Sequence, residues 1–459
     1  MQTVSLQTQS AAPCAKIVSF SSAGELVCAS AARISTTQGT ALSILERSKE
    51  KENNRALIEK VVASGHQSLI EHAVFTVAFD NVSVCTEEFV IEFRLASYTV
   101  QSRRYVDFTN AGFFEPAMPE ACASQYRSHM QSLFDCYGKL LALEIPKEDA
   151  RFVLPYCFRS NFYCTLNARE LMHMIAAMLW GRGCEIPELQ EIGAALKAQF
   201  EQYFPNLLSR VQMQYANGFA QKDPRYCLPK TAPAIAEPTV GSACTVLQYA
   251  TPDPEKIVCA AAGSNGAYSA EHTALSLAEI INAERPRELE LIQAMFRIEG
   301  LSLAAVTHLV RHRMQSVLVP QIMQAITGNR YVLPETIAHN PEAAALYHRA
   351  FAENTAQLRR LLAMGIPISA MQYFAMAGHL LDCSCAMNGR ELKHFFALRT
   401  CQRAQWEIRA VAIDLLSQLR KESDLYRLFG PSCYTTNHCP EGRLSCGKAK
   451  EMQALFSAT

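Results

Sequence analysis

The chain of 459 residues has no net charge, because 43 Lys and Arg balance 43 Asp and Glu. A general electrostatic grip on nucleic acid or acidic membranes is therefore not expected, although local basic clusters can still hold small phosphates. The sequence also lacks any apolar run near the roughly 18 residues that cross a bilayer. Its first twenty residues, MQTVSLQTQSAAPCAKIVSF, have no basic start followed by an apolar core. No secretory signal is read, and a cytoplasmic location is expected. In that setting the 17 scattered cysteines are expected as free thiols or metal ligands rather than a disulfide framework. What remains is an ordinary soluble balance of 49% hydrophobic and 19% charged residues, long enough for two or three domains.

The chain repeats itself. NARELMH from Asn167 matches NGRELKH from Asn388, and EIPKEDARFVLP around Pro146 matches GIPISAMQYFAM around Pro367, both at an offset of 221. VSVCTEEFVIEFRLAS ending at Ser97 matches LSLAAVTHLVRHRMQS ending at Ser316 at 219, and RRYV ending at Val106 matches NRYV ending at Val332 at 226. Blocks in one order at near-constant offset indicate two divergent copies of a domain of roughly 210 residues. The second copy carries an insertion of about seven residues between Ser316 and Arg330. We place the first repeat at 1–220, a Pro- and Ala-rich linker at 221–244, the second repeat at 245–430 and a Cys-rich tail at 431–459.

Within one copy, AKIVSF and the alternating HAVFTVAF read as strands. The charged run SILERSKEKENNRALIEKVVAS, then VCTEEFVIEFRLAS and ASQYRSHMQSLFDCYGKLLALE, read as helices. NARELMHMIAAML reads as a helix capped by Asn167, and the segment from Met387 through AQWEIRAVA as one long helix. The fold class is α+β with more helix than strand.

Four clusters can carry chemistry. Arg311, His312 and Arg313 close a helix with two guanidiniums and an imidazole, which suits phosphates or an electron-rich ring edge; basic residues there also complement the helix dipole. Ser102, Arg103, Arg104 and Tyr105 place a hydroxyl beside two guanidiniums, which suits a nucleotide phosphate or a solvated turn. GHQSLIEH sets His66, Ser68, Glu71 and His72 before a strand; a metal on His66, Glu71 and His72 has no further ligand set beside it. Arg390, His394 and Arg399 project at successive helical turns. In the tail, Cys433, His438, Cys439 and Cys446 could bind zinc or an iron–sulfur cluster, or form a reduced, loosely ordered end; their spacings are not those of Cys-x-x-Cys knuckles.

Taken together, the Arg-His-Arg, the Ser-x-Arg-Tyr, the Gly-His-x-Ser-x-x-Glu-His block and the Asn-x-Arg helix running into Ala-Gln-Trp-Glu-Ile resemble the flavin-dependent thymidylate synthases. The resemblance covers nearly the whole chain, twice. Neither copy is complete. The first has Glu92 and Phe93 where the family has Arg and His, Met178 in place of the helix arginine, and RGCEIPE in place of the AQWEI run. The second keeps Arg311, His312, Arg313, Asn388, Arg390 and Arg399. However, its counterpart of GHQSLIEH falls near PRELELIQ, Gly328 replaces the serine, and Gln372 replaces Arg151. (The AEH at Ala270–His272 comes too early to serve.)

The resemblance implies sites assembled from neighbouring subunits. The first repeat would supply Ser102, Arg103, Arg104 and Arg151 to the phosphate of dUMP. The second would supply Arg311 and Arg399 to the nucleotide. His66, Ser68, Glu71, Arg311, His312, Arg313, Asn388, Arg390 and His394 would contact FAD or folate. Arg399 and Ser102 would be the catalytic pair. The implied reaction is reductive methylation of dUMP by methylenetetrahydrofolate, with FAD reduced by NADPH or a similar donor. Two chains would form a pseudo-tetramer, with small-molecule substrates and no nucleic-acid or membrane partner. A C5-methylase of another pyrimidine nucleotide and a non-catalytic flavin- or nucleotide-binding homologue are the alternatives.

Overall fold

The computed structural model describes residues 12–218, 227–265 and 276–458. The start of the expected linker (221–226) and the AEH stretch lie outside the described residues. Among the described residues ten strands run in chain order: β1 (Cys14–Phe20), β2 (Val74–Ser83), β3 (Ala96–Val100), β4 (Arg159–Asn167), β5 (Thr239–Gly241), β6 (Cys244–Ala250), β7 (Gln293–Ser302), β8 (Gln315–Leu318), β9 (Arg330–Val332) and β10 (Leu380–Asn388). Helices outnumber them, as the α+β reading requires.

The duplication is written into the sheets. One four-stranded antiparallel sheet has the order β1-β2-β4-β3, and the other has β6-β7-β10-β8. These are the same order, strand for strand. A register shift falls between Ile17 and Ser19 in the first edge strand and between Leu247 and Tyr249 in its counterpart. The central strands explain themselves by alternation. Phe75, Val77 and Phe79 are fully buried on one face of β2, and Ala294, Phe296 and Ile298 are fully buried on one face of β7.

Each β-to-helix corner is built twice as well. Ser83 caps the Val84–Ile91 helix, and Ser302 caps the Leu303–Leu309 helix. The Ser83 N–H and hydroxyl both donate to the buried Glu188 carboxylate, at 2.7 and 2.6 Å. Ser302 does the same to the buried Glu407. Glu188 lies in RGCEIPE and Glu407 in AQWEIR, so the replaced run keeps the one side chain that ties the corner.

Two compact units result. One takes Met1–Ile235 with Pro341–Met376, and the other takes Ala236–Asn340 with Ala377–Thr459. The first unit therefore holds the long Glu120–Ala142 helix together with the Pro341–Ala363 helix, its counterpart from the second repeat. They meet through the buried His129 Nε2 and Asn354 Oδ1 at 2.9 Å. This is a cut through space, distinct from the repeat boundaries read along the chain.

Local readings differ in places. The charged run is two helices, Ala41–Lys49 and Asn54–Ala63, parted by a turn. The segment after Met387 is also two helices, Gly389–Arg399 and Trp406–Glu422, with Gln405 capping the second. The Gln405 side chain accepts from the Ile408 N–H, which starts a new helix instead of continuing the old one. The end of EFRLAS is the start of β3.

Candidate active site

In the second unit, β10 ends at Asn388, whose side chain accepts the Glu391 N–H at 2.9 Å and starts the Gly389–Arg399 helix. Glu391 lies on the first turn and is buried. Its Oε1 accepts from His312 Nδ1 at 2.8 Å. The other ring nitrogen, His312 Nε2, accepts the Nε–H of Arg399 at 2.9 Å. Arg399 Nη2 donates to the His308 carbonyl at 3.1 Å. This chain fixes the tautomer: a nitrogen that accepts from a guanidinium carries no proton, so the ring is neutral with its proton on Nδ1. Burial holds the His312 pKa below its ordinary value, the Arg399 charge pushes the same way, and Glu391 opposes both. The guanidinium of Arg399 is thereby aimed by a relay that begins at a buried carboxylate.

Around this relay, Arg311, Arg313 and His394 are exposed. The His394 ring lies 5.6 Å from that of His312. Asn388 serves as the cap, and Arg390 donates to Glu290 at 2.6 Å. The first repeat repeats the latter pair, with Arg169 donating to Glu71 at 2.7 Å. Glu290 falls in PRELELIQ, where the counterpart of GHQSLIEH was expected. His66 and Ser68 are exposed on the 3-10 turn before β2.

The relay has no twin in the first repeat. Phe93 stands at the imidazole position and the fully buried Met178 at the guanidinium position. Arg182 lies over the Phe89 ring at 4.2 Å and pairs with Glu92, filling this corner with a structural cation.

The first unit has its own cluster. Arg104 pairs with Glu148 at 2.9 Å, and its N–H donates to Ser102 Oγ at 3.3 Å. Arg151 is buried and its Nε donates to the Glu148 carbonyl at 3.1 Å. Its Nη2 is buried with no hydrogen-bond partner among the described residues. Burial pulls the Arg151 pKa down to about 10, and Arg103 and Arg104 add to the effect while Glu148 opposes it. A buried guanidinium nitrogen without an acceptor, beside a second arginine, is a fit for an anion. Arg103 is placed otherwise. Its guanidinium is buried, pairs with Glu87 and lies over the Phe158 ring. Ser160 donates to the same Glu87 carboxylate.

Ser102, Arg104 and Arg151 are thus brought together in one unit, and His312 and Arg399 in the other. Glu391 and Glu148 were not singled out in the sequence. The signal for Glu391 was present, since Glu170 and Glu391 recur at the offset of 221 in matching capped helices.

The tail requires a correction. Among the described residues no group of three or more His, Cys, Asp or Glu is placed to hold a metal ion, so neither the set Cys433, His438, Cys439 and Cys446 nor His66 with Glu71 and His72 is supported as a metal centre. His438 is exposed. Burial raises the Cys433 pKa, and the nearby Cys401, Cys439 and Cys446 raise it further. All 17 cysteines are free.

The model of the thymidylate synthase complementing protein family matches residues 16–206 and again residues 245–423. The chain belongs to the flavin-dependent thymidylate synthases. Over 226 residues it is 34% identical to the flavin-dependent thymidylate synthase of Geobacter sulfurreducens, a match covering 96% of that protein and 46% of this chain. Over 247 residues it is 30% identical to the enzyme of the same name from Clostridium tetani, covering 98% of that protein and 48% of this chain. Whole relatives thus match about half of this chain, as a tandem arrangement requires. The chain is a thymidylate synthase enzyme that depends on a flavin. No helix among the described residues is long and apolar enough to cross a membrane.

Proposed function

We propose that the chain methylates C5 of dUMP reductively, taking the carbon from methylenetetrahydrofolate, with NAD(P)H as the source of reducing equivalents. Each working site takes its phosphate-holding residues from a first repeat and its ring-facing residues from a second. The single observation that carries this reading is complementary retention. The Glu391–His312–Arg399 relay exists only in the second repeat, and the Ser102, Arg104 and Arg151 cluster only in the first. Undirected decay would not leave halves that complete each other.

The residues have distinct tasks. Arg104, the unpartnered Nη2 of Arg151 and the Ser102 hydroxyl take the phosphate of the nucleotide. Arg399, held at Nε by His312 and at Nη2 by the His308 carbonyl, is the guanidinium that meets a uracil oxygen. Negative charge collects on that oxygen as C5 becomes nucleophilic, and a prepositioned guanidinium stabilises it without reorganising. Arg311 and Arg313, exposed beside His312, suit the diphosphate or the electron-rich edge of FAD. FAD, when bound there, supplies the hydride. No cysteine nucleophile is required. Burial pushes the Cys28, Cys157, Cys164 and Cys383 thiols up to about 12, which keeps them protonated at neutral pH. Two chains associate as a pseudo-tetramer.

The test is anaerobic incubation of the purified protein with FAD, NADPH, methylenetetrahydrofolate and dUMP, reading dTMP by mass. Formation of dTMP is expected. Bound FAD without dTMP sinks the substrate assignment, and parallel reactions with UMP and dCMP then identify the nucleotide.

A further inference from the structure

The second repeat does more than lose its serine. Its insertion builds the Ile322–Gly328 helix, which has no counterpart between β3 and Arg104 in the first repeat. Met323, Ala325 and Ile326 are buried, so the insertion is folded onto the unit rather than hung from it. Its Pro320, Gln324 and Gly328 form one wall of a cleft of about 440 Å³. Arg297 on β7, Arg330 on β9 and Asp382 on β10 line the same cleft, with the buried Leu380 and Leu381 beside them. Gln248 and Ser384 complete the lining.

The charges in the cleft are organised. Asp382 accepts from Arg330 at 2.7 Å, from Arg297 at 3.1 Å and from the Gly300 N–H at 2.8 Å. Arg297 also faces Glu299 at 3.6 Å, so two guanidiniums are matched by two carboxylates, and each guanidinium still has more N–H donors than these carboxylates engage. Arg330 stands where the first repeat has Arg104. A Cβ at Gly328 would meet nothing within 4 Å, so the lost serine was not expelled by crowding. Decay removes features; here an ordered helix has been added over an arginine pair.

We propose that this cleft binds a nucleoside monophosphate without turning it over. Its phosphate would lie on Arg297 and Arg330, and its base edge on the amides of Gln248 and Gln324. The volume lies in the range of small-molecule sites. Amides offer both a donor and an acceptor, which a pyrimidine edge requires. The inference rests on the functional reading above only in taking Arg330 as a descendant of a phosphate-holding arginine. A substrate-like and a product-like nucleotide share the chemistry, so both are tested.

The experiment is calorimetric titration of the full-length protein with dUMP, with dTMP and with inorganic phosphate. Two classes of nucleotide site per chain are expected. Arg104→Ala should remove one class and leave the other. Arg330→Ala should weaken the second class by about tenfold or more, the loss of one charge-assisted pair, and leave the first class and the turnover rate in place. Gln324→Ala, which breaks no ion pair, should weaken the second class without lowering the melting temperature, which guards against a folding defect. A single class abolished by Arg104→Ala and untouched by Arg330→Ala and Gln324→Ala overturns the cleft proposal. Two classes that both survive Arg104→Ala overturn the phosphate assignment in the first repeat instead. The dUMP and dTMP arms tell whether the cleft prefers substrate or product.

Discussion

Replacing Glu391 by glutamine tests the relay while keeping its shape. The carboxylate is buried and accepts from His312 Nδ1 at 2.8 Å, and His312 in turn accepts from Arg399 at 2.9 Å. A hydrogen bond to a charged partner is worth about 1.5–3 kcal/mol and a neutral one about 0.5–1.5, so the substitution should cost about 1–1.5 kcal/mol at the bond itself. If that energy serves to aim Arg399 in the transition state, turnover should fall roughly tenfold with little change in KM for the nucleotide. Glu391 raises the His312 pKa against burial. Its neutralisation should therefore move the acid limb of the rate profile to lower pH. The control is built into the chain, because Glu170 occupies the same helix position in the first repeat and accepts from the Leu95 N–H at 3.3 Å. Glu170→Gln should leave turnover within about twofold, since the imidazole it faces, His173 at 3.9 Å, belongs to neither half of the proposed site. The assay is anaerobic dTMP formation between about pH 6 and 9, with thermal melts of each variant. Equal losses in the two variants, or an unshifted acid limb in Glu391→Gln, would refute the relay.

Further outcomes are expected. Arg151→Ala should raise KM for the nucleotide by about tenfold or more with a smaller change in kcat, read by steady-state kinetics, because Arg151 offers a buried donor without a partner. On acidification the protein should lose stability. His312 and His129 are both held below their ordinary pKa chiefly by burial. The unfolded chain therefore binds more protons just below about pH 6.5, so this contribution is full above that value and is lost as pH falls through the folded pKa values. Melting temperatures that rise between about pH 7 and 5.5 would contradict it. Phe296→Ala, at a fully buried position on β7, should cost about 3–5 kcal/mol in denaturant unfolding.

The duplication was legible because repeated motifs keep their offsets whatever the surrounding residues do. Identical strand orders and mirrored pairs such as Glu71–Arg169 and Glu290–Arg390 then follow from it. The capped Asn167 and Asn388 helices were legible from local chemistry, since the cap and the helix lie side by side in the chain. β4 and β10 were not read, because each is a strand that runs directly into a capped helix. The capping signal there obscured the strand before it. The break at residues 400–405 went unseen because the residues on both sides are good helix formers and only Gln405 as a cap marks the restart. Arg103 and Arg104 could not be told apart from sequence. Adjacent arginines look alike until Glu87 takes one into the interior and Glu148 holds the other near the surface. Glu391 recurs with Glu170 along the sequence, but its task could not be read there because it acts on His312, which is distant in sequence.

The division of labour between the repeats is tested most directly by comparing dTMP formation in Arg104→Ala and Arg399→Ala, each made singly in the full chain and each shown to retain its fold and flavin. The account predicts that either variant alone abolishes dTMP formation, since each removes the only copy of its half of the site. If either variant keeps more than about half of the turnover, one repeat holds a complete site by itself and the composite reading is wrong.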